Sequence, residues 1–402
     1  MELVNLQISQ AHGDAMVTGQ FVRQGASHDE TLIISVPERY YDMLSNSRDV
    51  FVPVLLLPCM KTGESLDLGG EVSGRLLDQI PEIQEIYLSW YPTLKPVEVI
   101  ALRSNASPAR ASGTGAFFSA GADSFHTLHE AINGNIRGIG RLSHLVFVRS
   151  TAGRESRGFG RPLLLDDTND SSRLELELQQ IAEATNTSLV RVDTNVQSLF
   201  TDFNWDLYHH GGSLASIALA LSRGLGTQII SSGWSYRDIH PWGSHPFTDR
   251  LWSTDYLQFL HYGSHLTRAE KIAEIVASYD LALDHMRVCT YNSSITNCGR
   301  CYKCLRTMIP LDMVGKLAAA KTFPSILPND FSMAFPHNGG SLEDEPLYRL
   351  ACKLGHDEYV KKIETIVNKR NRVRAVRQFL EASPALSPMV GPLRRARRLL
   401  KR

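Results

Sequence analysis

The stretch that decides the fold is Gly115-Ala116-Phe117-Phe118-Ser119-Ala120-Gly121-Ala122-Asp123-Ser124-Phe125. A short apolar run enters a turn of small residues, and the spacing of Phe125, Leu128 and Ile132 predicts an amphipathic helix that stops at Asn133-Gly134. Small side chains let main-chain N–H groups approach an anion, and the positive end of the helix dipole adds attraction. This pattern predicts a phosphate-binding turn. Its six residues are Ser119, Ala120, Gly121, Ala122, Asp123 and Ser124.

Two further readings of this turn stay open. The hydroxyls of Ser119 and Ser124 can add donors, and Asp123 can either hold Mg²⁺ or order the loop. A strand followed by a helix with an ordinary Ser or Asp cap would have the same sequence pattern and no ligand-binding role.

Outward from the turn, apolar β-branched runs alternate with helical patterns between about Thr114 and Thr290. This alternation is typical of a parallel sheet covered by helices on both faces, and it predicts an α/β fold. The turn follows the first predicted strand, where ligands of such sheets bind. The predicted strands are 116–118, 145–148, 189–192, 228–230 and 287–288.

The first hundred residues show a different pattern. Phe51–Pro58 is predicted as a buried strand between prolines, and Gln84–Trp90 alternates with period two. We therefore expect a small β-containing N-terminal domain at 1–103 and a linker at 104–113. The α/β domain is expected at 114–310 and a helical C-terminal region at 311–402.

Four of the six cysteines crowd into sixteen positions, a density that indicates a metal site rather than disulfides. Four thiolates form a closed tetrahedral shell around Zn²⁺, so the site is predicted to be structural and to tie the fifth strand to the helix that follows. A [4Fe–4S] cluster and buried free thiols are the alternatives. The predicted ligands are Cys289, Cys298, Cys301 and Cys304.

Residues 119–124 resemble the PP-loop, Ser-Gly-Gly-x-Asp-Ser, of the ATP pyrophosphatase superfamily, with Ala120 where that family has Gly. An added methyl group fits there only if the residue does not need a positive φ. The cysteine pattern, Gly233 after a predicted strand and the segment Leu266–Ile272 narrow the resemblance to the 7-cyano-7-deazaguanine synthase branch. The resemblance implies a Rossmann-like core, ATP and Mg²⁺ as cofactors, and cleavage of ATP to AMP and pyrophosphate.

Those enzymes activate a carboxylate with ATP and convert it with ammonia to an amide and then a nitrile. Here Arg149–Arg154 replaces the Gly-Gln-x-His turn of that branch, and long segments flank the resembling region, so the reaction type is carried over and the deazapurine is not. The resemblance thus implies adenylation of a small carboxylate for attack by a nitrogen donor. The alternatives are a PP-loop enzyme that modifies a tRNA base or a protein terminus, and a nucleotide-binding module without catalysis.

The segment 233–250 is crowded with aromatic, His, Asp and Arg side chains. Trp234 or Trp242 can stack on a substrate, and Arg237 or Arg250 can pair with its carboxylate. A rigid surface loop with internal ion pairs is the alternative. The substrate or nucleotide candidates are Arg149, Gly233, Trp234, Arg237, Asp238, Asp249 and Arg250.

Charge is unevenly distributed although 42 Lys and Arg balance 42 Asp and Glu. Residues 361–402 hold thirteen basic and two acidic residues, so an acidic body carries a basic tail. The tail is expected to dock on RNA, an acidic partner or anionic lipid, or simply to pack on the body. No leader or membrane span is recognised, so a cytoplasmic protein is expected, and a homodimer is compatible with it.

Overall fold

The computed structural model describes residues 1–25, 29–106, 109–150, 168–201, 203–289, 291, 295–335, 342 and 345–382. Ten strands and eleven α-helices form these parts of the chain. The strands are β1 (Glu2–Ala11), β2 (Asp14–Val22), β3 (Glu30–Pro37), β4 (Leu66–Ser73), β5 (Val99–Ser104), β6 (Gly113–Phe117), β7 (Leu142–Ser150), β8 (Ser188–Thr194), β9 (Leu225–Ser231) and β10 (Gln258–Tyr262). The helices are α1 (Val52–Thr62), α2 (Gly74–Trp90), α3 (Ala122–Ile132), α4 (Thr168–Ala184), α5 (Val196–Leu199), α6 (His210–Ala220), α7 (Arg268–Glu274), α8 (Asp280–His285), α9 (Tyr302–Met313), α10 (Pro346–Leu354) and α11 (Asp357–Ala382).

The strands form one sheet in the order β10-β9-β6-β7-β8-β3-β2-β1-β4-β5. Its first five strands are parallel to one another. Counted along the chain they lie in the order 5-4-1-2-3, so the direction of winding reverses between β6 and β9. The remaining strands continue antiparallel through β3, β2 and β1 and end in the parallel pair β4 and β5. The α/β class predicted from the sequence is confirmed.

Both faces of the parallel strands are buried. On β7, Leu145 and Phe147 belong to one apolar core, whereas Val146 belongs to the other. Burial on two faces explains why these strands appear in the sequence as continuous apolar runs. The predicted boundary at 104–113 coincides with the connection from β5 to β6, but residues from both sides of it share the first core.

The run Phe51–Pro58 was predicted as a strand, and this is wrong, because it lies in the helix α1. All residues from Val52 to Met60 are buried, so the run is apolar on every side and its periodicity cannot distinguish a strand from a helix. Pro53 lies in the first turn, where a helix tolerates the missing N–H group.

The strand predicted at Gln84–Trp90 is also wrong, because these residues end helix α2. The buried positions Leu76, Ile80, Ile83 and Tyr87 follow helical spacing over the full seventeen residues. The alternation seen in the last seven residues is too short a window to reveal that period.

The fifth parallel strand is β10, not the predicted run at Arg287–Val288. The N–H group of Arg287 donates to the turn after β6, and that of Val288 donates to the side chain of Asn297, so no ladder can form there. The segment Gln258–Tyr262 was missed because its Gln, His and Tyr side chains resemble the polar, aromatic loop that precedes it.

Candidate functional site

The turn at 119–124 lies between the end of β6 and the start of α3, where the winding of the sheet reverses. Gly121 is the N-cap of α3, and no side chain caps it. None of the main-chain N–H groups of residues 119–124 donates to another described residue. The first N–H groups of a helix point outward along its axis, so this turn presents a cluster of donors suited to an anion.

Ala120 takes the left-handed conformation, with φ +56°, and is almost completely buried. This conformation costs a residue with a Cβ atom roughly 1–2 kcal/mol. The condition set from the sequence, that position 120 not need a positive φ, is therefore not met, and the turn holds Ala120 there under strain. Such strain persists only where surrounding contacts fix the backbone.

Asp123 is tied to two cations of α7. Arg268 donates to its Oδ2 through Nε at 2.8 Å and Nη2 at 2.6 Å, and the Nζ of Lys271 lies 3.2 Å from its Oδ1. Burial opposes ionisation of this carboxyl, but the charges of Arg268 and Lys271 outweigh it and lower the pKa to about 2. Because both oxygens are paired, Asp123 orders the loop in this structure and is not poised as a Mg²⁺ ligand.

Lys271 joins the turns after β6 and β9. Its side chain is 1% exposed, and its Nζ also donates to the main-chain oxygen of Ser232 at 2.6 Å. Gly233 follows directly, and a Cβ atom there would lie 3.3 Å from Nη2 of Arg268. The structure thus brings the predicted residue Gly233 to the phosphate turn through a shared neighbour.

A third cation stands beside this pair. Lys303, in the first turn of α9, is exposed and lies within electrostatic range of Arg268 and Asp123. Its ammonium group makes no hydrogen bond or ion pair with any side chain the structure describes. The three cations Arg268, Lys271 and Lys303 outnumber the two carboxylates, Asp123 and Asp206, that act on them.

The four predicted cysteines converge. Their sulfur atoms all lie within 4.8 Å of one another, and Sγ of Cys298 and Cys304 are 3.8 Å apart. A tetrahedral ion with bonds of about 2.3 Å separates its sulfur ligands by about 3.8 Å, so these residues fit a metal ion. Three of the thiols are buried, and burial together with the neighbouring thiol of Cys301 raises the pKa of Cys304. A cation is what stabilises such a set as thiolates.

Asn297 closes the cysteine loop. Its Oδ1 accepts from the N–H groups of Val288 and Cys289, and its Nδ2 donates to the main-chain oxygen of Met286 at 2.9 Å. Between these contacts, the N–H of Arg287 donates to the carbonyl of Ala120 at 2.8 Å. The cysteine loop therefore holds the strained residue of the phosphate turn directly.

The aromatic segment after β9 contains one cluster that remains accessible. Trp234 is 38% exposed, and its ring lies 4.4 Å from that of His240 and 5.9 Å from that of Trp242. Arg237 belongs to the same segment. This cluster follows Gly233 and so stands beside the phosphate turn.

Two carboxylates of this segment are engaged within the protein. Asp238 accepts from Arg349 of α10 at 2.7 Å and from Ser235 at 2.5 Å. Asp249 is fully buried and accepts from Ser244 and from Nδ1 of His261, both at 2.7 Å. Both side chains fix the path of the segment, and the partners Arg349 and His261 lie outside it.

The two remaining arginine candidates, Arg149 and Arg250, differ in how strongly they are paired with carboxylates of the protein. Arg149 forms a bidentate pair with Asp193 of β8, at 2.6 and 2.9 Å, and this pair raises the pKa of Arg149. Arg250 is exposed, makes a single 3.4 Å contact with Glu82, and borders a cavity of about 350 Å³. Tyr236, Phe247 and Leu260 line the same cavity, so Arg250 stands at the edge of an apolar pocket.

Sequence reasoning missed four residues of this site. In the structure, Thr267 and Glu270 form a capping box that begins α7. Arg268 lies within this box, and Lys271 directly follows it. Lys303 and Asn297 lie inside the cysteine pattern, where only the thiols attracted attention. The signal available for Arg268 and Lys271 was a pair of cations at the start of α7.

Comparison with known proteins finds no match for this chain among models of protein families, curated proteins or solved structures. None of the described helices is long and apolar enough to cross a membrane. Of the basic tail, Lys369 and Arg370 lie on α11, whereas residues 383–402 are outside the described residues.

Proposed function

We propose that this protein is an ATP-dependent enzyme that transfers AMP to a substrate carboxylate, releases pyrophosphate and passes the acyl group to a nitrogen nucleophile. The observation that carries the proposal is the turn 119–124, whose main-chain N–H groups have no acceptor among the described residues. The turn follows β6, where the winding of the sheet reverses, and Arg268, Lys271 and Lys303 lie around it. In doubly wound α/β proteins nucleotides bind at this point, and the observed strand order is compatible with a Rossmann-like core.

The donors and charges suit a polyphosphate. Main-chain N–H groups of a helix start together with Lys and Arg side chains are the usual partners of phosphate oxygens. Arg268 and Lys271 hold the turn through Asp123, and Lys303 is free to pair with an oxygen of the leaving pyrophosphate. Mg²⁺ would arrive with the nucleotide and neutralise its charge, because Asp123 has no unpaired oxygen to hold the ion.

The acceptor is proposed to lie beside the segment after β9. The apolar pocket at Tyr236 and Phe247 offers contact to a hydrophobic body, and Arg250 can pair with a carboxylate. Attack of a carboxylate oxygen on the α-phosphorus needs no covalent bond to the protein. Positioning and charge stabilisation are then the main catalytic contributions.

The cysteine cluster is proposed to bind Zn²⁺ in a structural role, with no open ligand position. Zinc stabilises the loop that holds Ala120, so the metal would support the phosphate turn without touching substrate. A single zinc per chain and no visible absorption would distinguish this site from an iron–sulfur cluster. Reduced cysteines also fit the cytoplasmic location expected from the sequence.

The test measures pyrophosphate and AMP release from ATP and Mg²⁺ with a panel of small carboxylic acids. We expect release that depends on an acid, and a loss of about tenfold or more in kcat/KM for Lys303→Ala, since a hydrogen bond to a charged group contributes roughly 1.5–3 kcal/mol. Lys316→Ala, an exposed lysine just beyond α9, is the matched control and should behave as wild type.

Other outcomes identify the alternatives. ATP binding without any AMP would indicate a nucleotide-binding module. AMP formed only with tRNA or a protein as acceptor would favour the polymer-modifying enzyme, and removal of residues 385–402 should then lower turnover in a salt-dependent manner. Absence of ATP binding would remove the proposal altogether.

A further inference from the structure

A second cavity lies at the edge of the sheet opposite to the turn 119–124, because β4 and β5 run in the opposite direction to β6. It has a volume of about 460 Å³ and is bordered by the ends of β4 and β5 and by the residues that precede β10. Strands β4 and β10 are near opposite ends of the strand order, yet the Oγ of Ser73 donates to Asp255 at 2.8 Å. The sheet therefore curves until its two ends meet, and the cavity forms where they meet.

Arg48 is the unusual member of this cavity. It is partly buried, its Nε is shielded from solvent, and the guanidinium makes no hydrogen bond or ion pair with any residue that the structure describes. A buried polar nitrogen without an acceptor is costly, so native proteins nearly always pair it, and Nε of Arg48 is such a nitrogen. A missing anion is the simplest reason for its position.

The backbone of β4 is shaped to make room for Arg48. The pairing of β4 with β5 shifts register between Asp67 and Glu71, which marks a bulge. Gly69 takes φ +63° there, and a Cβ atom on Gly70 would lie only 2.6 Å from Nε of Arg48. Bulges of this kind re-aim side chains at functional positions, and here the bulge admits a guanidinium.

The rest of the wall carries carboxylates in two different states. Asp49 is almost completely buried and saturated, since one oxygen accepts from the N–H of Ser73 and the other from the hydroxyl of Tyr256. Asp255 and Glu71 each use one oxygen, toward Ser73 and Ser104 respectively. Both residues are exposed, and within the described chain their second oxygens, Oδ1 and Oε1, accept no hydrogen bond, so these oxygens are open to a ligand.

From these contacts we propose that the cavity binds an α-amino acid, with its carboxylate on Arg48 and its ammonium group on the free oxygens of Asp255 and Glu71. A simple anion would satisfy Arg48 but would leave two carboxylates facing it. A simple amine would leave Arg48 unpaired. A small zwitterion pairs with Arg48 through its carboxylate and with Asp255 and Glu71 through its ammonium group. This inference does not depend on the proposed function.

The test uses thermal shift and calorimetry with the purified chain and no nucleotide. Each of the twenty common L-amino acids is screened, and the best binder is compared with its deaminated acid and its decarboxylated amine. We expect the amino acid to bind at least about tenfold more tightly than either analogue, since each loses one charged hydrogen-bonded contact.

The variants Arg48→Gln and Glu71→Gln should each weaken binding about tenfold or more, whereas Arg141→Gln, an exposed arginine without a partner, is the control. Without ligand, Arg48→Gln should melt close to wild type, because the substitution removes no hydrogen bond or ion pair with the described residues. No shift with any amino acid, or equal binding of the deaminated acid, would overturn the proposal. Equal affinity in Arg48→Gln would overturn it as well, even if binding itself were observed.

Discussion

The junction between β4 and α2 and the junction between β6 and α3 are built differently. After β4, the Oγ of Ser73 accepts from the N–H of Leu76 and closes the start of α2. After β6, Gly121 caps α3 without a side chain, and Ala120 is held at φ +56°. A capped start satisfies its own donors, whereas an uncapped start leaves them for a ligand. Near the first junction the helix start is capped by Ser73, so the carboxylate proposed to bind there must be held by the side chain of Arg48.

Disruption of the proposed zinc site is expected to have the largest effect and to affect only the junction between β6 and α3. Cys304→Ser removes one of four ligands, and zinc binding supplies roughly 10–16 kcal/mol in small zinc domains, so unfolding free energy should fall by several kcal/mol. Hydrogen exchange should rise at 286–304 and then at 119–124, because Arg287 holds Ala120. Cys352→Ser, an exposed cysteine outside the cluster, is the control. Equal loss of protection at 73–80 would contradict the link.

Acid should act on the two junctions in opposite directions. The pKa of Asp123 is lowered to about 2, so its ionised form contributes about 2 kcal/mol above pH 4, and this contribution is lost as pH falls from about 4 to 2. Burial raises the pKa of Asp49, so its stabilising contribution is present at low pH and is lost as pH rises through that pKa.

Urea unfolding from pH 2 to 7 checks this prediction. Relative to wild type, Asp123→Asn should flatten the rise in stability between pH 2 and 4. Asp49→Asn should instead remove a fall in stability above about pH 4, because the raised pKa of Asp49 lies above its unfolded value. Similar slopes in the two variants would show that the carboxylates share one environment.

Removal of the cap should separate folding from binding. Ser73→Ala is expected to cost about 1 kcal/mol of stability and to leave ATP affinity unchanged. Ser119→Ala should lower ATP affinity and leave stability unchanged, because the Ser119 hydroxyl caps no helix among the described residues. Chemical unfolding and ATP titration of both variants measure the two effects, and a Ser119→Ala protein that lost only stability would make the two junctions equivalent.

The smallest effect concerns the strained residue. Ala120→Gly should gain up to about 1 kcal/mol by relieving the left-handed conformation. Ala122→Gly, two residues later in the first turn of α3, should lose about 1 kcal/mol because its backbone is helical. Thermal unfolding of the pair gives the comparison. A loss in Ala120→Gly as large as that in Ala122→Gly would mean that position 120 is not strained.

The local sequence pattern predicted secondary structure correctly where a single signal was sufficient. Four of the five parallel strands, the helix after the turn and the capping box at Thr267 follow from apolar runs and from hydrogen bonds within a few residues. The convergence of the four cysteines follows from their spacing for the same reason. The helices at Phe51–Pro58 and Gln84–Trp90 were misjudged because a run that is buried on all sides, or a window shorter than two turns, has no readable period.

The sequence by itself determined the α/β class, the small-residue turn and the set of four converging cysteines, since each depends on neighbours close along the chain. Only the tertiary structure decided that α7 clamps Asp123, that the cysteine loop holds Ala120, and that the sheet curves until Ser73 meets Asp255. The partners in these contacts are 145, 167 and 182 residues apart. No local preference encodes such pairings, because they arise from burying both faces of one ten-stranded sheet at once.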